Sequence, residues 1–561
     1  MNATLAALAH EYWEWSLVAD PLGATLVGDR RYDDRMPDLS PAAREAEAHA
    51  LAGLAARVRA VPEAGLDADE KVTRLQLLAL AQDGIDQRST GMETWLIDPL
   101  DGPQVALLNV PAWQPLRTPG EAAAFVERVR AMGPYLEAHL ANLERGHAAG
   151  LSSAADPVRK ALVQLDALLA KPVAELALAT EPAAGLPASF DDAARARLRA
   201  ACERALEDEV RPRFARLAAF VRDVALPAAR PEDRAGIGAL PGGRETYAKQ
   251  IRIHTSLPLT AEAIHATGLA EVAKIDAEMA ALGGRALGER DLTRLRERLR
   301  RDPALHFTTR EEVEEKAVEA LRRAEAAVPR WFGLIPRTPC VVRRIEAHEE
   351  EFSTIAYYRQ PATDGSRPGT YYVNTFAPAT RPRYEAEALA FHEAVPGHHT
   401  QIALAQEAAG VPEFRRHTGP TSYIEGWALY TERLCDEMGL YSADLDRIGM
   451  LSFDAWRACR LVVDTGIHAL GWSRARAIEF MAGHTALARN NIENEVDRYI
   501  GWPGQATAYK TGQLHILGLR AAAEARAGAR FDVRAFHDAV LGQGAVALET
   551  LTAIVEDAIP R

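Results

Sequence analysis

The 561-residue sequence predicts a mainly α-helical protein with one small antiparallel β-sheet. Three observations carry that class. Alanine, leucine, arginine and glutamate, all strong helix formers, dominate most of the chain. Apolar residues recur at three- and four-residue spacing, as in Phe125, Val129, Met132, Tyr135 and Leu136. Strand signals are confined to about residues 338–376.

Taken in order, the N-terminal run MNATLAALAHEYWEWSLVAD has no basic start, and His10, Glu11 and Glu14 interrupt it. It reads as an amphipathic helix rather than a signal peptide. Thr118-Pro119-Gly120-Glu121 opens the next helix as a capping box with proline at the first helical position. Residues 227–243 hold three prolines and four glycines, which mark a linker or long loop. They divide a helical half, 1–235, from a second half, 236–561. Thr308-Thr309-Arg310-Glu311-Glu312 is a further helix start, and arginine-rich faces such as Arg294–Arg301 read as solvated helix surface. The strands are Cys340–Ile345, Thr354–Tyr358 and Thr370–Phe376, the last preceded by the turn-like Asp364–Gly369.

The charge balance is 65 basic against 78 acidic residues, a net −13. That balance, with no basic aromatic-interleaved stretch, argues against a nucleic-acid binder. No stretch of ~18 apolar residues suggests a membrane span. The cysteines Cys202, Cys340, Cys435 and Cys459 form no CxxC pair and suggest no disulfide framework. A reducing, cytoplasmic setting is the expectation. Oligomeric state is not legible.

Three of the 16 histidines fall in Phe391-His392-Glu393-Ala394-Val395-Pro396-Gly397-His398-His399, after a helical run. In zinc hydrolases with HExxH, two imidazoles lie one turn apart and the glutamate stands beside the ion. Here the later histidines come at i+6 and i+7. In a regular helix i+6 lies about 120° off the His392 face, and i+7 lies ~10 Å along the axis. Pro396 and Gly397 permit a bulge or kink that absorbs the extra residues. Absorbing two is easier than absorbing three, which favours His398 over His399 as second ligand. A helix end with histidines facing its dipole is the simpler alternative.

Glu425 sits in Tyr423-Ile424-Glu425-Gly426-Trp427-Ala428-Leu429, an apolar context where an unpaired carboxylate is expensive and a metal would stabilise it. Glu432 shares its helix face and reads as a salt-bridge residue, with Arg433 or a distant arginine. Residues 454–470 carry a polar stripe of Arg457, Asp464 and His468, with Arg460 nearby. His468 is either an oxyanion donor or a structural histidine paired with Asp464. Tyr509 is a candidate phenolic donor or a core residue.

These motifs resemble the bacterial DUF885 family, a zincin-like group read as metallopeptidases. The matching runs are HEAVPGHH at 392–399, YIEGWALYTERL at 423–434, RLVVDTGIH at 460–468, WPGQATAYKTG at 502–512 and DGSRPGTYYVNT at 364–375, with EYWEW at 11–15. The resemblance implies a gluzincin-type helical fold with the sheet beside the active-site helix. It implies His392, His398 and Glu425 as metal ligands and Glu393 as general base.

The expected activity is zinc-dependent hydrolysis of amide bonds in short peptides, with another divalent ion able to replace zinc. Glu393 would move the proton, and His468 and Tyr509 would stabilise the oxyanion. Tyr371, Tyr372, Asn374 and Arg460 would bind substrate, the Tyr371–Phe376 strand pairing with an extended peptide. Two alternatives use the same residues. One is hydrolysis of a non-peptide or modified amide in a biosynthetic pathway. The other is a non-catalytic metal-binding scaffold.

Overall fold

The computed structural model describes residues 1–559 except His348, Phe352, Thr363, Asp364 and Ser366. Asp364 and Ser366 of the expected turn therefore lie outside the described residues. Helices account for 71% of the chain, so the mainly helical class holds. The chain divides into two compact units. One comprises Ala7–Ala60 and Ala81–Thr246; the other comprises Met1–Ala6, Val61–Leu80 and Tyr247–Arg561. The breaker stretch 227–243 lies near the end of the first of these.

In the smaller unit, α1 (Pro119–Ala148) begins with the capping box read from the sequence: Thr118 caps Glu121 N–H and the Glu121 carboxylate caps Thr118 N–H. Its apolar stripe, Phe125, Val129, Met132 and Leu136, packs in one core with Leu165 and Phe214.

The larger unit carries the site. Its helices are α2 (Ala261–Ala286) and α3 (Arg310–Ala327), which Thr309 caps at Glu312 N–H. The sheet follows: β1 (Cys340–Arg344), β2 (Ala356–Arg359) and β3 (Gly369–Val373). Next come α4 (Ala386–Glu393), α5 (His398–Glu407), α6 (Thr421–Glu437), α7 (Asp444–His468), α8 (Arg489–Gly501) and α9 (Ala508–Ala527). Phe332, Tyr371, Phe391, Trp427, Tyr430 and Ile516 share its core. Among the described residues, no helix is long and apolar enough to cross a membrane. The four cysteines are free and buried.

The strands lie where expected, but the sheet is mixed rather than antiparallel. Its order is β1-β3-β2, with β1 parallel and β2 antiparallel to β3. The chain reverses between β1 and β2 and again between β2 and β3. Two reversals restore the direction of β1, so placing β3 in the centre makes one of its pairs parallel. This order also corrects the expected peptide-pairing role, because β3 is already paired with β1 over Gly369–Val373 and with β2 over Thr370–Val373.

Two motif glycines set how closely α6 and α9 cross. A Cβ on Gly426 would stand 2.5 Å from Gly512 Cα, and one on Gly512 would stand 1.8 Å from the Ser422 carbonyl oxygen. The obstacles are backbone, so neither position accepts a side chain without a shift of a whole helix. Gly518, on the same helix α9, faces open space. Gly512→Ala should therefore lower the unfolding temperature, an overpacking cost of about 1–3 kcal/mol. Gly518→Ala should raise it, by helix propensity worth about 1 kcal/mol. Thermal unfolding of the two variants beside the parent chain checks both signs.

Candidate metal centre

The histidine run is not one bulged helix. α4 ends at Glu393 and α5 begins at His398, with residues 394–397 folding the chain back between them. Proline at 396 offers no N–H to continue a helical ladder. The Val395–Pro396 peptide bond is cis. Gly397 lies against the end of α4, where a Cβ would come within 1.9 Å of the His392 carbonyl oxygen. The reversal is held by backbone and side-chain donors: His399 N–H to the Ala394 carbonyl at 3.1 Å, and Trp427 Nε1–H to the Pro396 carbonyl at 3.0 Å. Thr431 donates to the Phe391 carbonyl at 3.2 Å.

This reversal returns His398 to His392. The two rings are edge-to-face with centroids 4.7 Å apart. Glu425 Oε2, from α6, lies 3.5 Å from His392 Nε2 and 3.6 Å from His398 Nε2. The three donor atoms fall within 4.8 Å of one another. An ion with bonds of about 2.0–2.1 Å in tetrahedral geometry holds its ligand atoms about 3.3 Å apart. The donor set therefore fits a single divalent ion. A second observation agrees: Glu425 Oε2 is buried with no hydrogen-bond partner among the described residues. A buried carboxylate oxygen left so is costly.

The charges are arranged to the same end. Burial alone would raise the Glu425 carboxyl, but its contact with His392 and the His398, His392 and Arg460 charges lower it to about 2. Burial lowers His398, against the pull of Glu425. Burial also works against protonated His392, but the contact with Glu425 and the hydrogen bond and charge of Glu432 raise it to about 9. An ion taking this site displaces that proton.

His399 turns away. Its Nδ1 accepts from the Tyr358 hydroxyl at 2.9 Å, and its Nε2–H donates to the Thr338 carbonyl at 3.0 Å. Both nitrogens are committed to neutral partners, and burial lowers the ring's pKa to about 4.

Glu432 corrects the salt-bridge expectation. Its Oε1 accepts from His392 Nδ1–H at 2.8 Å, while Arg433 pairs with Asp454 and Glu278. A carboxylate on the far nitrogen fixes the tautomer that leaves Nε2 as a ligand. The sequence signal was present: Glu432 follows Glu425 by seven residues on one face of α6 and is 1% exposed.

A family model described as "Bacterial protein of unknown function (DUF885)" matches residues 21–555. The chain belongs to the DUF885 family. No curated protein matches it. Solved structures are similar as well, two of them over nearly the whole chain. One, "the putative lipoprotein from Colwellia psychrerythraea", aligns over 98% of both chains with TM-score 0.92 and 27% identity. The other, "a putative lipoprotein of unknown function from Shewanella oneidensis", aligns over 98% of this chain and 99% of that one, with TM-score 0.75 and 19% identity. The second likeness is one of fold.

The remaining expected residues of this DUF885 chain divide into two groups. Glu393 is half-buried beside His392 and His398, whose titration its charge affects. Among the described residues its carboxylate has no hydrogen bond or ion pair. Tyr371 is buried near Glu393, and both burial and that charge push its phenol well up. Tyr509 feels the Glu425 charge, and the Arg460 guanidinium lies over its ring at 4.3 Å. Arg460 itself donates to the Tyr499 hydroxyl and Glu495.

The others are engaged elsewhere. His468 Nε2 meets the Tyr499 carbonyl at 2.9 Å, and its ring packs on Tyr247. Asp464 is held by Tyr247 and Gly504 N–H. Asn374 donates to the Glu350 and Thr354 carbonyls at 2.7 and 2.9 Å, shaping the turn before β2. Tyr372 stacks on Tyr357 with centroids 4.9 Å apart.

The geometry predicts distinct metal contents. His398→Ala should lose the ion, and His399→Ala should keep it while losing stability. Glu432→Gln should bind it about 10–100-fold more weakly. Elemental analysis after dialysis and competition with a chromophoric chelator read these outcomes.

Proposed function

We propose that this protein is a zinc-dependent hydrolase of amide bonds, a peptidase or amidase acting on short peptides. The observation that carries the reading is the convergence of His392, His398 and Glu425 beside Glu393, a carboxylate with no structural partner among the described residues. A scaffold that only stores an ion has no use for that fourth group. The finer fold reading goes with it: a zincin-like, gluzincin-type centre with two histidines flanking one helix end and a glutamate from a second helix.

His392, His398 and Glu425 would hold the ion, with zinc favoured by nitrogen and carboxylate donors in a four-coordinate site. Another divalent ion can take its place. When bound, the ion supplies Lewis-acid chemistry, lowering the pKa of a water and polarising the amide carbonyl. Glu393 would act as the general base, its carboxylate taking a proton from the attacking water and giving it to the departing amine. Glu432 keeps the His392 ring oriented throughout. Tyr371 and Tyr509 have raised phenol pKa values, so both stay protonated and can donate to the oxygen that gains charge. His468 leaves that role, because its Nε2 is spent on the Tyr499 carbonyl.

The test is a peptide library screened with the zinc-loaded full chain, with chelator abolishing turnover. Glu393→Gln should lower kcat by about 10²–10⁴ at unchanged metal content. Tyr509→Phe should lower it by about 10²–10³ if this phenol meets the oxyanion. Inactivity of the metal-loaded protein across the whole library would overturn the peptidase reading.

A further inference from the structure

Arg457 is the one arginine of the α7 stripe that the centre described so far leaves unexplained. It is 6% exposed. Its Nε and Nη1 are buried with no hydrogen-bond partner, and among the described residues no carboxylate lies within ion-pair distance. Its neighbours on α7 differ in this respect. Asp454 pairs with Lys510 and Arg433, and Arg460 with Glu495. Glu495 is shared further with Arg498 at 2.9 Å. Among the described residues, arginines 457, 460 and 498 therefore have one carboxylate partner between them, and Arg457 has no share in it.

The place of this cation is also defined. The guanidinium carbons of Arg457 and Arg460 both lie over the Trp456 ring, at 4.3 and 4.5 Å, and Arg457 also lies over Phe453 at 4.7 Å. Its charge interacts with Glu432, Arg460, Tyr509 and Glu425, and it acts on Glu385. Arg457 thus lies within electrostatic range of Glu425 and Glu432, and it shares the Trp456 ring with Arg460, which itself covers Tyr509. Arg460 Nη1 is likewise buried without a partner. A buried, unpaired guanidinium is destabilising. Aromatic faces recover only part of the lost hydration. What the site lacks is a planar acceptor, and a carboxylate fits the guanidinium fork with two parallel hydrogen bonds.

We propose that Arg457, assisted by Nη1 of Arg460, is an anion subsite that takes a carboxylate of the substrate beside the metal centre. The assignment rests on the hydrolase reading for the word substrate, and it narrows the class to acidic amides. The carboxylate is either the free C-terminus of a peptide or an acidic side chain.

The test does not need turnover. The full-length protein is kept in chelator, so that no ion can capture a carboxylate. It is then titrated by calorimetry with N-acetyl-Ala-Ala, with N-acetyl-Ala-Glu amide and with N-acetyl-Ala-Ala amide. At least one acid should bind tenfold or more tightly than the neutral amide, and the tighter acid identifies the source of the carboxylate. Arg457→Gln should abolish the preference, and Arg457→Lys should keep part of it. Because Arg457→Gln removes an unpaired buried charge, it should unfold at the same or a higher temperature. Equal affinity for the three probes overturns the proposal, and so does their failure to bind. So does a preference that survives Arg457→Gln, or a fall in unfolding temperature that marks Arg457 as a structural residue. Failure of the hydrolase reading shows separately, as absent turnover by the metal-loaded chain with the acid preference intact.

Discussion

The centre depends on a four-residue reversal of the backbone between Glu393 and His398, pressed so tightly that the Gly397 Cα lies against the His392 carbonyl. Burying such a turn exposes it to the cost of unpaired backbone groups. Helix α6 reduces that cost, since Trp427 donates to the Pro396 carbonyl within the turn and Thr431 to the Phe391 carbonyl at the end of α4 just before it. The same helix carries Glu425 and Glu432. The side chains that let the reversal be buried and those that meet its two histidines therefore move as one rigid body. The placing of the candidate ligands is tied to the hydrogen bonding of the turn.

Around this turn the protein buries many charges, and it pairs most of them across helices. Asp454 on α7 is held by Arg433 of α6 and Lys510 of α9, which in turn reaches Glu271 on α2. Buried ion pairs contribute little net stability, but breaking one leaves a costly charge. Such pairs penalise any slip of α6 or α9 along α7. The glycine contact between α6 and α9 sets their distance, and these pairs set their register. Together they bring Tyr509 to the Glu425 side of the centre. The lower part of α7 serves the same framework, since Asp464 and His468 anchor Tyr247, Gly504 and Tyr499. Against that background the unpaired Arg457 contrasts with its α7 neighbours Asp454 and Arg460, which have ion-pair partners.

Much of this was legible in the sequence because local chemistry decides it. Thr118 and Thr309 cap helices through residues three positions away, so the helix starts could be read directly. The strands could be located, but their directions could not, because direction depends on which strand takes the centre. The choice of His398 over His399 followed from how many residues a helix break must absorb. The break itself proved to be a complete end and restart, since Pro396 and Gly397 together leave no helical continuation.

The sequence by itself determined the inventory: a helical chain, a histidine run broken by Pro396 and Gly397 with Glu393 inside it, Glu425 in an apolar context, and a polar stripe on an apolar helix. Tertiary structure alone decided the partners. Glu432 carries the same charge whether it meets Arg433 or His392, and His468 has the same ring whether it faces an oxyanion or a carbonyl. Those outcomes depend on which atoms other helices bring within about 3 Å. Residues far apart in the chain supply those atoms, so local spacing carries no record of them.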